Sequence, residues 1–106
     1  MKYMVDIDGT ICSTTVNGNY EYAEPFVNRI KHFNLLYDSG EEIHYWTGRG
    51  GTTNKDWSNV TRRQFEKWRV KYTSLSFNKP TYDIWIDDKA ENVEAYFNNE
   101  SISNRN

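Results

Sequence analysis

Apolar positions along the chain fall into runs whose spacing alternates between extended and helical. Tyr3 to Ile7 (Y-M-V-D-I) is a short apolar run with β-branched residues, stopped by Asp8-Gly9, and predicts a buried strand. A polar stretch over 12–23 follows. It sets Asn17-Gly18 between Thr15-Val16 and Tyr20-Glu21, a pairing suited to a two-residue hairpin turn, so a small flap hairpin is expected after the first strand. Pro25 suits a first helical turn, Phe26, Ile30, Phe33 and Tyr37 recur at helical spacing, and Gly40 supplies the stop. Ile43 to Trp46 predicts the second strand. Gly48 to Asn54 reads as a glycine and threonine loop and Asp56 as an N-cap. Trp57, Val60, Thr61, Gln64, Phe65 and Trp68 then share one side of the next helix. Leu75 to Phe77 and Ile84 to Ile86 predict further strands, Ala90, Val93 and Phe97 mark a last helix, and Ser101 to Asn106 reads as frayed. Strands alternating with helices imply an α/β fold, a parallel sheet with helices on both faces. Ligands in such folds bind outside the carboxyl ends of the strands.

Length and composition narrow this picture. At 106 residues the chain holds one domain, taken as residues 1–100 with a tail over 101–106. Aromatic residues make up 16%, with four Trp and eight Tyr, too many core-forming side chains for a disordered segment. The single cysteine, Cys12, has no intrachain partner for a disulfide. Met1 to Thr10 carries two acids and no long apolar run, and 18 consecutive apolar residues occur nowhere. The expectation is a cytoplasmic protein without a membrane partner.

Charge is segregated along the chain. Residues 1–48 carry three bases against seven acids, 49–79 eight against two, and 80–106 two against six. Such a distribution suits a cation site built from the acidic ends beside a basic middle that receives an anion, although Arg62, Glu66 and Arg69 are also expected on one solvated helix side. The first strand ends V-D-I-D-G-T and the last predicted strand ends W-I-D-D-K, so Asp6, Asp8, Asp87 and Asp88 are expected at one sheet edge. Four converging carboxylates make sense chiefly around a hard cation such as Mg²⁺. At the same edge Y-W-T-G-R-G offers the Thr47 hydroxyl, backbone N–H groups at Gly48 and the Arg49 guanidinium, which suit phosphoryl oxygens.

D-I-D-G-T resembles the first motif of the haloacid dehalogenase (HAD) superfamily, and Thr47 and Asp87-Asp88 fall in order as its second and fourth. Y-W-T-G-R-G followed by N-K-P-T-Y-D-I-W-I-D-D-K-A is similar to the very short phosphatases of that superfamily found in capsule-synthesis loci and phages. The resemblance implies a single minimal Rossmann-like domain without a cap, and a phosphomonoester hydrolase working through an aspartyl-phosphate. It implies Asp6 as nucleophile and Asp8 as acid and base. It further implies Mg²⁺ held by the carboxylate of Asp6, the backbone carbonyl of Asp8 and the carboxylate of Asp87, with Asp88 acting through water or as a second ligand. Thr47 and Gly48 would hold phosphoryl oxygens, and the N–H groups of Gly9 and Thr10 would complete the cradle. A lysine precedes the fourth motif in the superfamily, which makes Lys79 the candidate to bridge nucleophile and phosphoryl group, with Lys89 and Arg49 as alternatives.

A receiver domain uses similar groups but places its acidic pair first, whereas Asp87-Asp88 comes last. Lys79 itself sits awkwardly. Only Pro80 to Asp83 separate it from the next predicted strand, while a parallel crossover takes a dozen residues or more. His32, on the expected polar side of its helix, and His44 read as structural, and Cys12 as flap packing. Of the tryptophans, mostly core by periodicity, Trp57 could also touch substrate. A capless enzyme implies either a substrate too large to enclose or a neighbouring subunit acting as lid, hence a possible homo-oligomer. A phosphorylated saccharide is favoured as substrate. A nucleic-acid terminal phosphate, a phosphoprotein and a catalytically silent binding module are the alternatives.

Overall fold

The computed structural model describes residues 1–50 and 55–98. The tip of the expected glycine and threonine loop and the tail expected to fray lie outside the described residues. Three strands, β1 (Lys2–Val5), β2 (Glu42–Trp46) and β3 (Ser74–Ser76), form a parallel sheet in the order β1-β2-β3. Tyr3 pairs with Ile43 and Val5 with Tyr45, and Tyr45 in turn pairs with Leu75. Two α-helices make the crossovers, α1 (Val27–Asp38) and α2 (Ser58–Lys67), and a short third, α3 (Val93–Phe97), follows.

The register explains which face is buried. Tyr3, Val5, Ile43 and Tyr45 point to one side, and Tyr45 meets Phe33 of α1 at 6.5 Å and Phe65 of α2 at 5.1 Å between ring centroids. Both helices therefore lie on the same face. Right-handed crossovers in a 1-2-3 strand order require this, and it corrects the expectation of helices on both faces. α3 adds to that layer through Phe97, which packs on Phe33 at 5.7 Å. His32 belongs there too. It is buried, and its Nε2 lies 2.7 Å from the Tyr96 hydroxyl, so this histidine is structural but not on a polar side. On the opposite face, Met4 is 58% exposed. His44 engages Ser74 and Glu42 there, and Trp46 Nε1 donates to Asn78.

Local chemistry sets the element ends. Gly40, at φ 98, closes α1 in a Schellman turn, with Glu41 N–H donating to Leu36 and Gly40 N–H to Tyr37. Trp57, not Asp56, is the N-cap of α2, and Asp56, one residue ahead of it, accepts from the N–H and hydroxyl of Ser58, the first helical residue. Arg69 stands past the end of α2 at φ 59, so it does not continue the outward face of Arg62 and Glu66. The Asn34 side chain straps that turn, donating to the Arg69 carbonyl and accepting from Lys71 N–H.

Two further expectations fail. The flap is no hairpin at 15–21. Asn17 and Gly18 do adopt the left-handed turn, at φ 57 and 68, but their flanks curl into two short 3-10 turns, Val16–Gly18 and Tyr20–Tyr22. Strand-like closure occurs lower, where Ser13 N–H donates to Glu24 and Phe26 N–H to Ile11. Ile84 to Ile86 is not a strand. Ile84 and Ile86 are 77% and 91% exposed, and the segment meets the sheet through Trp85 against Trp46. The four residues Pro80 to Asp83 are too few to carry the chain back under the sheet for a fourth parallel strand. Among the described residues, no helix is long and apolar enough to cross a membrane.

Phe65→Ala should cost about 3 to 5 kcal/mol in chemical denaturation, because it empties the space between Tyr45 and Tyr72. Replacing both Ile84 and Ile86 with Ser should change stability by no more than about 0.5 kcal/mol per site. A loss of several kcal/mol in that double variant would show the segment to be buried.

Candidate active site

The chain leaves each strand at the same sheet edge. β1 runs into Asp6, β2 into Thr47, and β3 into Phe77, Asn78 and Lys79. Ladder-like bonds continue past the strands, from Thr47 N–H to the Ser76 carbonyl at 2.9 Å and from Lys79 N–H to the Thr47 carbonyl at 3.2 Å. Lys79 is thereby held across the end of β2. Its ammonium reaches over Thr47 to Asp6, 3.4 Å from Oδ1, a span of about two strand spacings of roughly 4.8 Å. Lys79 and Asp6, distant in sequence, thus form one ion pair with side-chain exposures of 15% and 39%. Burial pushes the Asp6 carboxyl up, the Lys79 charge and the Ile7 N–H draw it back, and the Asp8 charge adds to the rise.

Asp8 is held differently. Arg49, with a fully buried side chain, grips it with a two-pronged fork, Nε to Oδ2 at 3.0 Å and Nη2 to Oδ1 at 2.9 Å. Arg49 Nη1 donates to Thr61 Oγ1 at 2.9 Å and Gln64 Oε1 at 2.6 Å, and Nη2 also reaches Cys12 Sγ at 3.8 Å. The Tyr20 ring lies 4.9 Å from the guanidinium carbon. All five N–H donors therefore have partners inside the protein, which leaves none turned outward. This departs from the expectation, because a planar fork that fits a phosphate fits a carboxylate equally well.

The backbone cradle also differs in part. Gly9, at φ 82, turns the chain after Asp8, but its N–H donates to the Cys12 carbonyl, and the Thr10 N–H donates to Ile7. Neither is turned outward for a phosphoryl oxygen. Gly48 is exposed, and Thr47 Oγ1, which is buried, accepts from Arg49 N–H at 3.2 Å. Gly50 has φ 83, and a Cβ there would collide with the Lys55 carbonyl, so this turn demands glycine. Trp57 is buried, edge-on to Tyr20, with the Lys55 ammonium over its ring, which places it in packing.

The four carboxylates do not converge. Asp87 and Asp88 are exposed on the 81–90 segment, and the Asp87 carboxylate accepts from Lys89 N–H at 2.7 Å, which holds it below the usual range. Among the described residues, no three His, Cys, Asp or Glu side chains lie together as a metal would need. With Asp87 on the exposed segment, the Asp6 carboxylate and the Asp8 backbone carbonyl have, among the described residues, no second carboxylate beside them that is free of an ion pair. The donor set as arranged does not fit Mg²⁺. Lys89 is likewise on the exposed segment, so of the three expected sources of bridging charge the geometry brings Lys79 to Asp6.

Several contributors were not singled out by sequence pattern. Thr61 and Gln64 carry the helical periodicity of core residues, and only their polar character inside an apolar stripe hinted at a buried partner. Arg29 donates to the Gly9 and Thr10 carbonyls at 3.5 and 3.3 Å, and to Glu94 at 3.2 Å, tying the turn after Asp8 to α3.

A crystal structure of a target protein from Vibrio cholerae is similar, with a TM-score of 0.77 and 25% identity over 98% of this chain and 94% of that one. No family model and no curated protein matches the chain. Fold and likeness together define a small α/β protein whose parallel three-stranded sheet is flanked by helices, consistent with a minimal Rossmann-like domain.

Cys12 is buried between Asp8 and Arg49, and burial, with the Asp8 charge adding, pushes its thiol up to about 12. Native protein at pH 8 should therefore resist iodoacetamide, while protein unfolded in guanidinium should be alkylated readily. A thiol that holds its proton more tightly when folded stabilises the fold below its unfolded value of 9.0 and loses that contribution as pH rises towards about 12. Melting temperature should fall across that window. Rapid native alkylation at pH 8 would contradict the burial.

Proposed function

We propose that the chain is a phosphomonoester hydrolase of the HAD type, working through a phosphorylated Asp6. The observation that carries this reading is the Asp6–Lys79 ion pair beside Thr47 at the carboxyl edge of a parallel sheet, with Asp8 one turn on. In this reading an Asp6 oxygen attacks phosphorus in line. The new P–O bond forms as the ester P–O bond breaks. Asp8 enters the cycle protonated, one proton beyond the carboxylate that the Arg49 fork holds, passes that proton to the departing alkoxide and becomes the carboxylate. Asp8 then removes a proton from water, which attacks phosphorus and returns Asp6 as the carboxylate with release of orthophosphate. Lys79 neutralises charge shared by nucleophile and phosphoryl group, and the Thr47 hydroxyl and Gly48 N–H donate to phosphoryl oxygens. No step is assigned to a metal, because the described carboxylates do not form a site for one.

The open mouth supports a substrate that need not be enclosed, since Asp6 keeps 39% of its side-chain surface exposed and Gly48 lies on the surface. A phosphorylated saccharide is the substrate class proposed, on the resemblance of Y-W-T-G-R-G and N-K-P-T-Y-D to the short capless phosphatases. Asp6→Asn should lose at least about 100-fold in turnover of a sugar phosphate while keeping its melting curve, since an amide is a poor nucleophile of nearly the same shape. Turnover within twofold of the unaltered protein would refute the assignment.

A further inference from the structure

We infer that Arg49 is a positioning residue for the acid and base Asp8 and takes no part in phosphate binding. The inference rests on the hydrolase reading above and adds to it a physical connection between flap, second helix and proton-transfer group.

A carboxylate on a turn is free to rotate unless something fixes its plane. Asp8 lies on the turn that Gly9 creates, with its side chain 21% exposed, and the Cys12 thiol four residues on reaches its Oδ1 at 3.5 Å, a single contact that does not fix the carboxylate plane. The Arg49 fork does so, because two parallel N–H···O bonds at 3.0 and 2.9 Å define both the direction and the plane of the carboxylate. The fork is itself immobilised. Thr61 and Gln64 on α2 take its other amino group, Thr61 Oγ1 is anchored to the Trp57 carbonyl at 2.8 Å, and the Gln64 amide nitrogen donates to the Tyr20 carbonyl at 2.7 Å. Tyr20 closes the set with its ring against the guanidinium. Loop, helix and flap thus meet on one side chain whose donors are all spent. A guanidinium in that state can orient Asp8 and has nothing left to offer a phosphoryl oxygen.

A misplaced proton donor hurts most where the leaving group most needs its proton. Arg49→Lys keeps the charge but loses the fork, and kcat/KM, which reports the steps up to formation of the phosphorylated protein, separates the two roles. For glycerol phosphate, whose alkoxide leaves poorly, kcat/KM should fall by about 100-fold. For 4-nitrophenyl phosphate, whose phenolate leaves unaided, the fall should be within about fivefold, with inhibition by orthophosphate unchanged. Equal losses on both substrates with weakened orthophosphate inhibition would show that Arg49 touches phosphate and overturn the inference alone. Unchanged kinetics on both would overturn it as well. A wild-type protein inactive on both substrates would remove the hydrolase reading and the inference with it. If circular dichroism shows Arg49→Lys unfolded, Thr61→Val decides, since it removes one anchor of the fork without touching Asp8. That variant should lose about tenfold on glycerol phosphate and little on 4-nitrophenyl phosphate, and equal effects would overturn the inference.

Discussion

A buried guanidinium must find opposite charge and a full set of acceptors, and the arrangement of this small protein answers that requirement. Arg49 sits with no side-chain exposure on the loop after β2, and Asp8, on the turn after β1, supplies the charge. Stranding either partner would cost about 3 to 5 kcal/mol, a large share of what holds a domain of this size together. The pair therefore fixes the distance between two strand-end loops. Its further bonds to Thr61 and Gln64 fix α2 against both, and the Gln64 bond to Tyr20 draws in the flap. Site and fold share these contacts.

Beside this rigid pair lies a softer one. Asp6 and Lys79 meet at 3.4 Å, and Asp6 stays two-fifths exposed, so solvent and ligand can compete for it. Two aspartates separated by one residue thus acquire different surroundings, one locked to a fork and one open at the edge. Two neighbouring acids thereby sit in unlike surroundings, with Asp6 pushed up by burial and Asp8 paired to a guanidinium.

Much of this was legible in the chain. The apolar runs at 3–7 and 43–46, the 57–68 helical stripe and the Gly40 stop act locally, and each gives the element it predicts to within a few residues. Lys79 reached Asp6 as expected because parallel strands bring all their carboxyl ends to one edge. What local pattern could not carry was tertiary choice. I-W-I at 84–86 has strand composition, yet four residues after Lys79 cannot return it to the sheet, and with it Asp87 and Asp88 remain apart from Asp6. Asn17-Gly18 supplies the turn of a hairpin, but the polar flanks prefer 3-10 turns where no strand pairs with them. Arg49 in a glycine loop reads as an anion ligand. Only the fold shows that the anion is Asp8.

The most direct test of this account is the solvent exchange of the Arg49 side chain, followed by nuclear magnetic resonance on uniformly labelled protein. The account predicts an Arg49 Nε–H that exchanges far more slowly than those of Arg62 and Arg63, with a scalar coupling across the hydrogen bond to the Asp8 carboxylate carbon. A rapidly exchanging Arg49 Nε–H without that coupling would contradict it.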